Sequence, residues 1–269
     1  MAGRRARGAR QPQGARAQHF LRSPALARTL VGDAAVAAGD LALDLGAGRG
    51  ALTAALVERG ADVWAVERDP ALAAVLRHRF RSTPSVTVVE ADARLLAPPD
   101  EPFVVVANLP FAGATAILRR LLDDPTVPLV RAAAIVQWET AVKWTAVWPS
   151  TLLAAYWGAW YELSLLRRLE PEAFGPPPSV AAGVLGIVRR DEPLVRQALA
   201  VAYRGFLHRG FRDGPRSVVS RKHLLAGARQ RGFGRNPRAR DLDAHDWAEL
   251  FDLASSGRLA KVPTRHEPL

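Results

Sequence analysis

An apolar run, Leu41-Ala42-Leu43-Asp44-Leu45, closes on the turn Gly46-Ala47-Gly48-Arg49-Gly50 and passes directly into a helical stretch over residues 51–58. A buried strand that ends in glycines and feeds a helix is the opening unit of a parallel α/β sheet. Glycine permits the tight turn, and parallel neighbours need a crossover of helix length. The pattern then recurs. Residues 63–66, 86–89, 103–107, 132–137, 161–169 and 180–189 read as further strands. Residues 24–36, 70–80 and 112–122 read as helices, with Pro70 at a first-turn position and Gly60 as the stop of the 51–58 helix. Beyond Asp191 the strand signal ends, and residues 194–207, 216–230 and 244–254 read as helices. The fold class expected is α/β, with a seven-stranded, mostly parallel sheet over residues 17–190 and a small C-terminal helical domain over 191–269.

Composition narrows the partners. With 269 residues and 49% apolar content, the chain can bury a large core. No apolar run approaches the roughly 20 residues of a membrane span, and the Arg- and Gly-rich start lacks the apolar segment of a secretory signal. Without cysteine there is no disulfide, thiolate metal site or cysteine nucleophile. A cytoplasmic protein with no membrane association and no metal is expected. The net charge of +11 favours a polyanion. Residues 1–16 read as a disordered basic arm, equally consistent with an RNA contact and with a terminus of no role.

The glycine turn has the spacing G-x-G-x-G, whereas dinucleotide enzymes use G-x-G-x-x-G around a pyrophosphate. S-adenosylmethionine has no phosphate. Glu67, closing the second strand, can accept from both ribose hydroxyls, and Asp92, followed by Ala93, can accept from an adenine amine. Alone, each carboxylate is more often a solvated loop residue or a helix cap, as Asp69 before Pro70 is expected to be. In order at successive strand ends, Gly46, Gly48, Glu67 and Asp92 would line one crevice.

Asn108-Leu109-Pro110-Phe111 follows the fourth strand. The N6 lone pair of adenine is delocalised into the ring, so the amine is a poor nucleophile. Two acceptors holding its N–H groups would turn that lone pair toward an electrophile, and the Asn108 side-chain oxygen and Leu109 carbonyl are such a pair. Pro110 stiffens the backbone, and Phe111 can stack on a base taken out of its helix. The competing reading of the tetrapeptide is an Asx-Pro turn with Phe111 as core filler.

These motifs resemble the rRNA adenine N6-methyltransferases. Gln18-His19-Phe20-Leu21 is similar to the family's Q-N-F-L segment, with histidine for asparagine. Gly46 to Thr53, Val66 to Pro70, Glu90 to Asp92, Asn108 to Phe111 and the turn Phe174 to Val180 follow in family order. The resemblance implies a Rossmann-like S-adenosylmethionine-dependent methyltransferase domain, with cofactor contacts at Gln18, His19, Leu21, Gly46, Gly48, Glu67, Asp92, Ala93 and Asn108. It implies catalytic roles for Asn108, Leu109, Pro110 and Phe111, and a monomer. Phe111 in place of tyrosine, Val136 to Glu139, Trp157 to Glu162 and the late Arg240-Asp241-Leu242-Asp243 look more like the Erm branch. That branch methylates one adenine of naked or nascent 23S rRNA and confers macrolide-lincosamide-streptogramin B resistance. The alternatives are a 16S rRNA dimethyltransferase and a non-catalytic RNA-binding assembly factor on the same scaffold.

Between Arg204 and Arg240 lie eleven basic residues and one acid, Asp213. Arg204, Arg209, Arg212, Arg216, Arg221 and Lys222 are the expected phosphate contacts, against the simpler reading of a solvated helix face. Phe206, Phe211, Phe233 and the tryptophans Trp138, Trp144, Trp148, Trp157 and Trp160 are expected mainly in the core, with Lys143 and Trp144 as alternative RNA contacts.

Overall fold

The structure, a computed structural model, describes residues 18–146 and 150–259. The basic arm read over residues 1–16 and Trp148 lie outside them. In chain order the elements are β1 (Phe20–Leu21), α1 (Pro24–Asp33), β2 (Leu41–Leu45), α2 (Ala51–Glu58), β3 (Asp62–Glu67), α3 (Pro70–Arg79), β4 (Val86–Glu90), β5 (Phe103–Asn108), α4 (Ala114–Leu122) and β6 (Leu129–Gln137). There follow α5 (Trp138–Thr145), α6 (Leu152–Trp157), β7 (Tyr161–Leu169), β8 (Phe174–Gly175), β9 (Ala182–Arg189), α7 (Ala200–Asp213), α8 (Arg221–Arg231) and α9 (Ala244–Leu259).

Among the described residues the main sheet has seven strands in the order β4-β3-β2-β5-β6-β9-β7. Strands β4 through β6 are parallel, and β9 runs antiparallel to both β6 and β7. This is the expected α/β class, with a seven-stranded, mostly parallel sheet. The order reverses between β2 and β5, so a crevice opens at their C-terminal ends, where ligands bind in open α/β sheets.

Alternation along the strands explains why both faces are covered. Val104 and Val106 of β5 face one apolar cluster with α1 and α2; Phe103, Val105 and Ala107 face another that includes α4. The second cluster continues without a break through Trp157 and Trp160 into Tyr203, Phe206, Trp247 and Phe251 of α7 and α9. Asp123, just after α4, fastens this junction: its Oδ1 accepts from the buried Trp157 indole at 2.9 Å and its carbonyl from the Tyr156 hydroxyl at 2.9 Å.

Helix ends follow local chemistry. Ser23 caps α1 ahead of Pro24, and the Asp69 carboxylate accepts from Ala71 and Leu72 N–H ahead of Pro70. Helix α1 stops at Asp33, three residues short of the expected end, and Ala35 takes a φ of 48°. Helix α8 begins at Arg221, later than expected, because the Ser220 hydroxyl caps it after a single 3-10 turn at Pro215–Ser217. No helix among the described residues is long and apolar enough to cross a membrane.

Candidate active site

At the β2–β5 switch lies a cavity of about 380 Å³, lined by Gln18, His19, Gly46, Gly48, Glu67, Asp92, Ala93 and the run Asn108 to Phe111, among others. That volume falls in the range of small-molecule sites. The residues expected to meet from separate motifs therefore share one wall-to-wall space, with one exception. Leu21 does not line it. Its neighbour Phe20 does, and alternation along β1 turns Leu21 into the α1–α2 cluster instead.

The glycine turn is built to let backbone approach. Gly46 and Ala47 N–H groups both donate to the Val66 carbonyl, at 2.8 and 3.0 Å, which docks the turn on the end of β3. Gly48 has φ 57°, and a Cβ there would stand 2.8 Å from the Phe20 ring. Arg49 covers that ring from outside, its guanidinium carbon 4.9 Å from the centroid. Phe20 is thus a cavity residue that the sequence reading left without a role, and its contact with Gly48 is invisible in local sequence.

Glu67 is buried, with Oε2 accepting the Gly48 N–H and Oε1 the Asp69 N–H, each at 2.9 Å. These bonds hold the carboxylate still while each oxygen retains a lone pair for a ribose hydroxyl. Behind it, burial pushes the Asp44 carboxyl up to about 7, opposed by the hydrogen bond from the Thr53 hydroxyl. Asp92 differs. Arg94 donates to both of its oxygens, through Nε at 2.9 and 3.0 Å and through Nη2, and this clasp pulls its pKa down to about 2. The carboxylate expected to take an adenine amine is therefore ionised and already engaged.

Asn108 sits half-buried at the end of β5, and a Cβ built on Gly46 would lie 3.7 Å from its carbonyl oxygen. Its Nδ2 donates to the His19 carbonyl at 2.6 Å, which leaves Oδ1 as the amide atom available to a ligand. Leu109 N–H donates to Ile135 at 3.2 Å, and among the described residues nothing donates to the Leu109 carbonyl. Pro110 accepts from Gly113 and Ala114, closing the turn into α4. Phe111 is partly buried, its ring centroid 6.0 Å from that of His19. The His19 Nδ1 lies 2.7 Å from the Pro176 carbonyl, so that nitrogen is the donor. Pairing of Phe20 with Gly175 and Leu21 with Phe174 anchors the whole segment.

The basic region is divided. Arg209, Arg216, Arg221 and Lys222 are exposed, and Arg212 is exposed but paired with Asp213 at 2.8 Å. Arg204 departs from the expectation of a phosphate contact. It turns inward, stacks on Tyr156 at 4.5 Å and donates to the Asp123 carbonyl at 2.6 Å. Trp144 is also internal, edge-on to Trp157 at 5.3 Å, which removes it as an RNA contact. Lys143 instead lines a second cleft of about 1020 Å³ with Trp138, Arg216, Arg238 and Arg240. Phe206 is buried, and Phe211 and Phe233 pack against the same cluster, as expected.

Residues 14–254 match the family described as ribosomal RNA adenine dimethylase. The chain is 35% identical over 249 residues to the ribosomal RNA small subunit methyltransferase A of Rubrobacter xylanophilus, covering 87% of this chain and 92% of that protein. It is 34% identical over 218 residues to the mycinamicin-resistance protein MyrB of Micromonospora griseorubida, covering 78% and 69%. It spans 66% of the length of the rRNA adenine N-6-methyltransferase of Bacillus licheniformis, at 28% identity over 70% of this chain. The crystal structure of the 23S rRNA methyltransferase ErmE superposes with a TM-score of 0.77 and 26% identity, over 88% of this chain and 99% of that one. The chain belongs to the ribosomal RNA adenine dimethylase family. Family and fold together imply S-adenosylmethionine as methyl donor.

Proposed function

We propose that this member of the family methylates the N6 of one adenine in naked or nascent 23S rRNA and thereby confers macrolide-lincosamide-streptogramin B resistance. The observation that carries the reading is the Asn108 amide, held by its nitrogen on the His19 carbonyl with its oxygen left to the cavity that also holds Gly46, Glu67 and Asp92.

The cavity residues suit S-adenosylmethionine. Gly46 and Gly48 permit close approach, the fixed Glu67 carboxylate takes the ribose, and Asp92 with the neighbouring Ala93 takes the adenine end. S-adenosylmethionine held there would supply an activated methyl group, leaving as S-adenosylhomocysteine, and the one proton displaced from N6 would pass to solvent. Asn108 Oδ1 and the Leu109 carbonyl hold the two N–H groups of the target amine, so its lone pair is drawn out of conjugation with the ring and turned toward the methyl donor. Phe111 stacks on the extruded base. Orientation is the main contribution of the chain, and well-oriented pairs gain on the order of 7–11 kcal/mol. The exposed Arg209, Arg216, Arg221 and Lys222 hold the RNA backbone.

The 23S reading is supported by Phe111 and by the likeness to ErmE over nearly that whole structure. The Rubrobacter relative favours a second reading, dimethylation of small-subunit RNA. Incubation with labelled S-adenosylmethionine and deproteinised RNA of each subunit, followed by mapping of the modified nucleotide, tests them. Label at a single 23S adenine is expected. Label confined to small-subunit RNA would establish the second reading instead.

A further inference from the structure

Arg94 holds Asp92 in two ways, and only one of them is needed to keep the carboxylate in place. The Arg94 backbone N–H donates to Oδ1 at 2.9 Å, a local turn that fixes Asp92 whatever side chain follows. The Arg94 guanidinium adds a clasp across both oxygens, through Nε at 2.9 and 3.0 Å and through Nη2. That clasp covers the oxygens on which the adenine subsite depends. It is also a surface pair, with the Arg94 side chain 50% exposed and that of Asp92 23%. Arg94 lines the cavity together with Arg68, whose charge acts on the same carboxylate. Its stem runs beside the turn that follows Asn108: a Cβ on Gly113 would lie 3.5 Å from Pro110 Cγ and 4.0 Å from Arg94 Cδ. One guanidinium thus stands between the carboxylate of the cofactor end and the loop that would receive RNA.

We propose that Arg94 is an RNA-phosphate contact, exchanged from Asp92 to a phosphodiester when RNA docks, so that RNA and cofactor bind cooperatively. The inference rests on the reading that a cofactor adenine takes Asp92 and that an RNA strand crosses the cavity mouth beside Asn108. The exchange leaves no group unpaired. An adenine amine on one Asp92 oxygen breaks the two-oxygen clasp. A phosphodiester then offers the guanidinium two acceptor oxygens that suit the same fork. Without RNA, the displaced guanidinium has only water to turn to; with RNA it has an anion. An exposed ion pair is weak, so the exchange is reversible and its effect modest. By linkage, each ligand raises the affinity of the other by the same factor.

Calorimetry with S-adenosylhomocysteine, which has no methyl group to transfer, reads the coupling directly. The full chain is titrated alone and with saturating deproteinised RNA of each ribosomal subunit, as wild type, Arg94→Ala and Arg94→Gln. The glutamine variant keeps most of the stem and removes only the charge. Wild-type affinity should rise about three- to five-fold when substrate RNA is present, the scale of an exposed ion pair. Both variants should bind S-adenosylhomocysteine without RNA about as tightly as wild type does with it, and RNA should then change this by less than about 1.5-fold. With S-adenosylhomocysteine bound, the slope of log RNA affinity against log salt should fall by about one in each variant. No coupling in wild type with either RNA, or equal coupling in wild type and both variants, would overturn this inference and leave the proposed function standing. Coupling with small-subunit RNA alone would keep the inference and move the function to the second reading. Failure of S-adenosylhomocysteine to bind wild type under any condition would overturn both.

Discussion

The Asn108 amide nitrogen donates to the His19 carbonyl at 2.6 Å, joining residues 89 apart in the sequence. This contact selects the amide rotamer in which oxygen, not nitrogen, is free to accept. It also makes the acceptor depend on chain far from β5, because β8 pairs with β1 and so holds His19 in place. A pre-set acceptor needs no reorganisation when a base arrives, which is where a protein site gains over water.

The clasp of Arg94 on Asp92 sets a competition. If the adenine end of S-adenosylmethionine uses the Asp92 carboxylate, the guanidinium has to yield part of it. Arg94→Ala should tighten cofactor binding by roughly two- to five-fold, the modest scale of an exposed ion pair, and Asp92→Ala should weaken it. Calorimetric titration of both variants checks this. Unchanged affinity in Arg94→Ala beside a loss in Asp92→Ala would mean that the two partners share the carboxylate.

Asp44 gives stability a pH dependence of defined sign. Folded, it keeps its proton to about pH 7, whereas in the unfolded chain it titrates near 3.8. Between these values the folded state binds more protons, so rising pH favours unfolding. Its contribution is complete below the unfolded value and is lost as pH climbs toward about 7. Asp44→Asn should remove that slope, so its melting temperature should gain on wild type as pH rises through this window. Parallel melting curves would contradict the assignment.

Much of this was legible in the chain because strands and site share a local signature. Most sheet strands are apolar runs bounded by glycine, proline or charge, whereas β7, with Glu162, Arg167 and Arg168, alternates in burial, and Gly46, Glu67, Asp92 and Asn108 sit at or just beyond strand ends. What was not legible depends on contacts distant in sequence. Strands β1 and β8 are two residues each and exist only through one another, so neither leaves a pattern. Helix α6, of six residues, is too short to show a period, and α5 follows β6 without a glycine turn to mark its start. Helix α5 is held by tight packing on β9, where a Cβ at Gly183 would come within 2.6 Å of Ala141. Charge alone could not tell Arg204, committed to Asp123, from its exposed neighbours.

That division of the basic surface predicts two different phenotypes. Arg221→Ala should weaken RNA binding, lower the slope of log affinity against log salt by about one, and leave thermal melting unchanged. Arg204→Ala should lower stability by about 1–2 kcal/mol, since it removes a charged hydrogen bond and a cation–π contact at the α4–α7 junction. Its salt slope should match wild type. Filter binding across a salt series, with melting curves, distinguishes them; a reduced salt slope in Arg204→Ala would return that residue to the RNA surface.

The Asn108 oxygen is tested most directly by Asn108→Ala, with methyl transfer to deproteinised 23S rRNA, RNA binding and S-adenosylmethionine binding measured on the same preparation. Loss of an oriented polar group from a reacting site costs about 100-fold or more. Transfer should fall at least that far while RNA affinity stays near wild type. Full transfer by the alanine variant would contradict the account.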